Sequence, residues 1–387
     1  MEVKINKFDY FGRGITRVCD KVTFVNRSLP NEVVDIKIVK DNKKYSEAIV
    51  NKVIEASPNR IESICPFYDK CGGCTFLHVN YDTEKEFKIN KAIELLGKCD
   101  NFYETNNLNY RNKVVLHVKD GKLGLYEENS NNLVNIDYCY LLDDMINKVI
   151  SDLNKIDLSK IERIIVKAHH NKLLIHFFGD IDNIEKLSYV DTIICNDKVL
   201  KGNGYLEEII DNKVFKVTSE AFFQVNKEGL LNIYKVINKY LENKRINRAL
   251  DLYSGISLWS ILISDKVDEL VSVEINKEAC QNAVDNLVKN SITNIKIING
   301  DVKDYIDSFR NIDLVIIDPP RSGLDKKTRE YLMKINSRFI IYISCDMQTL
   351  KRDLNELKNN YEVEQINLVD MFKRTYHCEV VTILERR

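Results

Sequence analysis

From about residue 215 the chain alternates between apolar runs of strand length and amphipathic stretches of helix length, and no other feature constrains the fold as tightly. Runs over 249–253, 270–275, 295–299, 313–318, 339–344, 363–369 and 379–384 read as strands, with helical patterns between the first six. Such βα alternation predicts a doubly wound, mostly parallel sheet. The last run arrives without a crossover helix, so it is expected to lie antiparallel. Open α/β sheets keep their chemistry at the carboxyl ends of their strands. The residues just past each run are therefore the first candidates for a site.

Three of these ends carry reactive groups. Cys345 follows the run 339–344, and the polar turn Asp346-Met347-Gln348 comes next. The run before it ends in Asp318-Pro319-Pro320-Arg321-Ser322-Gly323. Earlier, Asp251-Leu252-Tyr253-Ser254-Gly255-Ile256-Ser257 is a strand-to-helix turn, and Glu274 ends the following strand. Small residues in such a turn let a ligand approach the backbone, while an acid on the second strand tip can accept both ribose hydroxyls. The turn lacks the second and third glycines of the dinucleotide fingerprint, which leaves a pyrophosphate no seat. Adenosine joined to a group other than phosphate fits better, and S-adenosylmethionine is such a ligand. The plain alternative makes Glu274 a solvated strand end.

A thiol beside a methyl donor points to one chemistry. Uracil C5 is too weak a nucleophile to take a methyl group from a sulfonium unaided. Addition of a thiolate to C6 turns C5 into an enolate-like carbon that can attack. The C5 proton must then leave, so a general base is required. Glu379, in Tyr376-His377-Cys378-Glu379, is the candidate base and Cys345 the candidate nucleophile. A lone strand-tip cysteine is otherwise a small buried hydrophobe. That reading is expected to hold for Cys378, Cys19, Cys99, Cys195 and Cys280. His377 could assist the base or simply close the strand end.

The first part of the chain is different in texture. Residues 1–56 contain short alternating segments (33–39, then 45–53 after the turn Asp41-Asn42-Lys43), which suggests a small β-barrel of about five strands closed by Ser57-Pro58-Asn59. The net charge of the whole is -1, yet residues 1–60 hold twelve Lys/Arg against eight Asp/Glu. A locally basic barrel on a neutral enzyme is compatible with RNA binding. Residues 83–96 read as a helix, with Thr83 and Glu86 as a capping pair and Gly97 at its end. Strand-like segments at 114–118 and 173–178 follow. A chain of 387 residues accommodates three domains, expected at 1–56, 57–212 and 213–387. The start has no signal-peptide core and no run reaches membrane-span length. Ten cysteines without a secretory leader suggest a reducing, cytoplasmic setting and thiols used for metal or catalysis.

Asp318-Pro319-Pro320-Arg321-Ser322-Gly323, Ile343-Ser344-Cys345-Asp346 and Asp370-Met371-Phe372 with His377-Cys378-Glu379 resemble the motifs of the RNA uracil-5-methyltransferase family. The similarity extends over nearly the whole chain and is strongest to the branch that methylates 23S rRNA and carries a TRAM domain. It implies a class I S-adenosylmethionine methyltransferase sheet with an N-terminal TRAM/OB-like barrel and a central α+β iron–sulfur domain. It further implies Cys345 as nucleophile, Glu379 as base, and cofactor contacts from Gln224, Tyr253, Glu274, Asp301 and Asp318. The target base would be flipped from its stack, and a monomer is expected. Ser257, Met347 and Lys373 depart from the pattern: the first replaces the usual second loop glycine, and the other two replace prolines.

Cys65, Cys71 and Cys74 form a strong metal signal around Gly72-Gly73. The resemblance supplies Cys139 as the fourth ligand of a [4Fe-4S] cluster. Spacing alone leaves Cys99 and His78 open, and four thiolates could also hold zinc. A structural or RNA-positioning role is expected. Two other readings compete. An adenine amino-methyltransferase would carry an aromatic where Arg321 stands, and a cytosine C5 enzyme a proline where Ser344 stands. An iron–sulfur RNA-binding or assembly factor without activity, or an enzyme acting on tRNA, remains the alternative to a 23S rRNA uridine methyltransferase. The TRAM-like barrel and the cluster favour ribosomal RNA.

Overall fold

In the computed structural model, which describes residues 1–182 and 184–387, the alternating C-terminal part forms one sheet. Its strands are β1 (Ile246–Leu252), β2 (Val267–Glu274), β3 (Ile295–Asn299), β4 (Leu314–Ile317), β5 (Phe339–Ser344), β6 (Tyr361–Val369) and β7 (Glu379–Arg386). They lie in the order 3-2-1-4-5-7-6. Strands β1 to β5 are parallel, and β7 runs antiparallel between β5 and β6, as the missing crossover helix predicts. β4 and β5 are buried throughout because helices cover both faces. The order reverses between β1 and β4, so a crevice opens beyond Leu252 and Ile317.

Two elements from the middle of the chain complete this layer. Asn101–Tyr103 adds an eighth strand parallel to β6. The helix Tyr81–Leu96 buries Ala92 and Leu96 in the same apolar cluster as Met347, Leu350 and Leu354 of the helix Met347–Leu357. That first helix starts earlier than its sequence suggests. Asn80, not Thr83, is the cap: its side-chain oxygen accepts from the Thr83 amide at 3.0 Å, which places Thr83 inside the first turn. Gly97 ends the helix at φ 92, where a side chain would be strained.

The N-terminal sheet has six strands rather than five, because a break at residues 5 and 6 splits the first into Glu2–Lys4 and Lys7–Phe8. Val25, Val34, Ile36 and Ala48 alternate inward to make its core. A seven-stranded sheet follows in the middle of the chain, covered by the helix Asp144–Leu153. Cys19 does not reach a core. It occupies, with Asp20, a two-residue hairpin turn at φ 47 and 61, which points it into solvent. Cys280 and Cys378 are buried, and Cys99 and Cys195 are half-buried. Among the described residues no helix is long and apolar enough to cross a membrane.

Candidate active site and cysteine site

The crevice beyond β1, β2 and β4 is a cavity of about 650 Å³ lined by Tyr253, Gly255, Glu274, Asp301 and Asp318, with Ala221 and Phe222 closing one side. Its floor is the loop after β1, which curls through left-handed backbone at Tyr253 (φ 62), Gly255 (φ 54) and Ser257 (φ 60). That curl brings the Gly255 amide to Glu274, which accepts it at 2.8 Å and takes the Asn276 amide at 2.7 Å. Ser257 therefore stands where glycine would be free of strain, at a cost of roughly 1 kcal/mol, and its hydroxyl is buried without a partner. Asp301 caps the short helix Val302–Tyr305 and pairs with Lys303 at 2.7 Å. The Tyr253 hydroxyl donates to Asp325 at 3.2 Å, and the Trp259 indole donates to Asp318 at 3.0 Å. Gln224 is buried but is not part of the cavity lining; its carbonyl accepts from the Asn112 side chain at 3.1 Å.

Antiparallel pairing creates the second half of the site. Ser344, the last residue of β5, pairs with Val380 of β7, and Cys345 and Glu379 lie one step beyond that last pair. The two groups feel one another. Burial, then the Glu379 carboxylate, push the Cys345 thiol up to about 12, while Arg321 pulls it back. Burial and then Asp318 raise Glu379 to about 8, again opposed by Arg321. Glu379 is 5% exposed, and its Oε2 has no hydrogen-bond partner. Burial also lifts Asp318 to about 6. A half-buried thiol and carboxyl group, with the buried Glu379, thus act on one another, and one arginine opposes them. Such shifted groups in a crevice mark a functional site.

The departures from the family pattern acquire physical meaning here. Met347 is the first residue of its helix, whose cap, Asp346, accepts the Gln348 and Thr349 amides at 3.0 and 2.8 Å. Proline is favoured at that position because the amide needs no helical partner, so methionine loses little. Lys373 is not a loose substitute for proline. It is 4% exposed, its ammonium donates to the Thr105 carbonyl and lies 3.7 Å from the Tyr81 ring centre, and its own carbonyl accepts from Tyr110 at 2.8 Å. His377 packs against Tyr376 at 4.0 Å between ring centres, tilted by 33°, and faces Arg321 at 3.5 Å; burial and that arginine lower it to about 4.

Cys65, Cys71, Cys74 and Cys139 line a second cavity of about 310 Å³ together with apolar side chains. Burial raises all four thiols, and Cys74 is raised further by the other three, Cys139 foremost. Neither Cys99 nor His78 lines this cavity; His78 bonds Tyr68 at 2.6 Å instead. Among the described residues no group of three or more His, Cys, Asp or Glu is arranged to hold a single metal ion. The donor set itself, four thiols in an apolar wall, suits a soft metal centre.

Three participants were not singled out from the sequence. Arg321, noted there only as a missing aromatic, is a cation acting on both Cys345 and Glu379. Asp251 lies under the cofactor loop, held by Ser260 at 2.5 Å and raised by burial to about 7. Tyr10, from the N-terminal sheet, donates to Asp346 beside Cys345 at 3.2 Å. Arg321 follows a strand end and Asp251 lies near the end of β1, so both were open to inference. Tyr10 carries no local signal at all.

Comparison with known proteins identifies the family and the fold. The family model described as tRNA (uracil-5-)-methyltransferase matches residues 193–387, and that of the TRAM domain matches 1–50. An uncharacterized RNA methyltransferase of Clostridium acetobutylicum is 31% identical, covering 100% of this chain and 96% of its own length. One from Clostridium tetani is 30% identical over 96% of this chain and 93% of its own. The fold matches that of the Pyrococcus abyssi tRNA (uracil-54, C5)-methyltransferase in complex with S-adenosyl-L-homocysteine, with a TM-score of 0.83, 23% identity, and coverage of 99% and 100% of the two chains. A doubly wound sheet with a nucleoside-sized crevice at its switch point, a TRAM domain ahead of it and near-full-length relatives lead to one assignment: the chain is an S-adenosylmethionine-dependent RNA methyltransferase of the uracil-5-methyltransferase family.

Proposed function

We propose that the protein methylates C5 of uridine in 23S rRNA by way of a covalent enzyme–RNA adduct. The observation that carries this reading is the placement of Cys345 and Glu379 one step past the last pair of the β5–β7 ladder, close enough to act on one another, with a carboxylate oxygen of Glu379 left unpartnered. The cofactor cavity fits its ligand: Glu274 is placed for ribose hydroxyls, and Asp318 leaves negative charge for a cation. Tyr253 and Asp301 line the same space; Gln224, expected as a further cofactor contact, is buried outside that lining. S-adenosylmethionine, when bound, supplies an electrophilic methyl group on a positively charged sulfur. Cys345 adds as thiolate to C6 of the flipped uracil, which makes C5 nucleophilic toward that methyl. Glu379 then takes the C5 proton; the C–H pair forms the C5–C6 double bond and expels Cys345 from C6. Burial and neighbouring negative charge favour the protonated form of both groups, and positive charge near them, as Arg321 supplies, favours the ionised form.

The N-terminal unit, 1–56, serves RNA binding, the segment 57–212 holds the cysteine site, and 213–387 carries the reaction. Cys65, Cys71, Cys74 and Cys139 hold a [4Fe-4S] cluster in a structural role, since four thiols around one apolar cavity offer soft ligands and no open chemistry nearby. Anaerobically purified protein should then absorb in the visible, and Cys71→Ser should lose the band; colourless protein with stoichiometric zinc would reject iron.

The reaction is tested with 5-fluorouridine-substituted fragments of 23S rRNA and, in parallel, of tRNA. Fluorine cannot leave as a proton, so a methylated covalent adduct should accumulate with S-adenosylmethionine present. Trapping on rRNA supports the reading, trapping on tRNA alone would move the substrate to tRNA, and an adduct that survives Cys345→Ala would sink the mechanism.

A further inference from the structure

Glu379 is the first residue of β7, so its direction depends on the loop 370–378 that delivers the chain to it. Much of what holds that loop comes from the middle of the molecule. Lys88 pairs with Asp370 at 2.6 Å, and Lys91 donates to the Tyr376 carbonyl at 2.8 Å. Arg374 is the centre of the arrangement. Its carbonyl accepts the amides of Thr75 and Phe76, the two residues after Cys74, at 2.8 and 3.0 Å. Its amide donates to Glu84 at 2.7 Å, and its guanidinium to the Val79 carbonyl at 3.0 Å and to Asn107 at 2.8 Å. These partners force a left-handed backbone, φ 66, on a long side chain that would not choose it. A strained conformation that several buried partners over-determine belongs to a position that must be fixed.

We propose that Arg374 is a positioning residue for Glu379: it straps the loop 370–378 to the segment following Cys74 and to the helix Tyr81–Leu96, and so aims the base at C5. The proposal rests on the reaction proposed above, and it adds a requirement specific to the proton-removal step. Thiolate addition and methyl transfer do not need Glu379; elimination does. Arg374 touches neither substrate nor cofactor cavity, so its loss is felt only through the loop.

The test uses the full chain carrying Arg374→Asn, since asparagine tolerates left-handed backbone, and Arg374→Lys, which keeps the charge but not the fork of donors. With 5-fluorouridine RNA, both variants should trap at rates within about threefold of the parent, because addition and methyl transfer are intact. With ordinary uridine RNA, turnover of Arg374→Asn should fall about 10- to 100-fold, the scale of a misplaced catalytic group. The methylated covalent adduct, absent from the parent reaction, should then accumulate on ordinary uridine, with Arg374→Lys intermediate. Parallel loss of trapping and turnover in both variants would make Arg374 merely structural, and unchanged turnover in both would dismiss it. A parent enzyme that fails to trap fluorouridine would instead remove the reaction itself.

Discussion

Replacing Glu379 by glutamine should make the protein more stable and inactive, and the gain should depend on pH in a stated way. Burial moves Glu379 from 4.5 to about 8, because its carboxylate has no ion pair and lies near Asp318. Between those two values the folded protein holds a proton that the unfolded chain has lost. Stability from this group is therefore full below 4.5 and is lost as pH rises through about 8. At 1.36 kcal/mol per pH unit the span from 4.5 to about 8 amounts to at most about 5 kcal/mol above pH 8, and relaxation around the charge lowers it to about 2–4 kcal/mol. Glutamine keeps the shape of the protonated acid at every pH. Thermal unfolding should then give Glu379→Gln the parent midpoint near pH 5 and a midpoint on the order of 2–5 °C higher near pH 8.5. Turnover should fall by about 10²- to 10⁴-fold, the usual weight of a general base. A stability gain equal at both pH values, or none at the higher one, would refute the account of Glu379 as a carboxylate held against its own charge.

Other outcomes follow from the same geometry. Cys345, pushed up to about 12, should react with iodoacetamide at pH 7.5 about tenfold or more slowly than exposed Cys19, as site-resolved mass spectrometry can measure; a faster Cys345 would contradict the shift. Ser257→Gly should stabilise by about 1 kcal/mol in urea titration, since it relieves a left-handed residue and removes a buried unpartnered hydroxyl; destabilisation would mean the serine is held by something it does not touch here. Lys88→Met should cost about 3–5 kcal/mol, because Glu84 and Asp370 both lose their cation in a fully buried setting; a urea midpoint within error of the parent would show the network to be dispensable.

The parts of the site that a reader of the sequence can find are those that sit one residue past a strand. Asp318, Cys345 and Glu274 each end an apolar run, and a doubly wound sheet brings such ends to one edge, with Asp318 and Glu274 in the crevice itself. The antiparallel last strand was also legible, from the missing helix before it, and it is this strand that brings Glu379 near Cys345. What escaped the sequence depends on contacts far apart in the chain. The cap at Asn80 was misplaced by three residues because two polar candidates compete and only tertiary packing chooses. Cys19 was assigned to a core on composition, whereas the hairpin turn decided it. Lys373 lacked any local reason to be rigid, and its carbonyl and ammonium are held from residues 110 and 105.

The charge of the ligand-free site explains why these long-range anchors are needed. Asp251, Asp318, Glu379 and Cys345 are all raised, and for each the largest cause is removal from water rather than any specific partner. Groups of one sign crowded in a dry pocket repel once ionised, so a loosely held Glu379 would turn outward and solvate itself. The strap at Arg374, the buried pair of Lys88 and Asp370, and the Tyr10 contact at Asp346 keep the chain from doing so. The site is thereby held short of positive charge, and a sulfonium beside Asp318 is the kind of ligand that satisfies it.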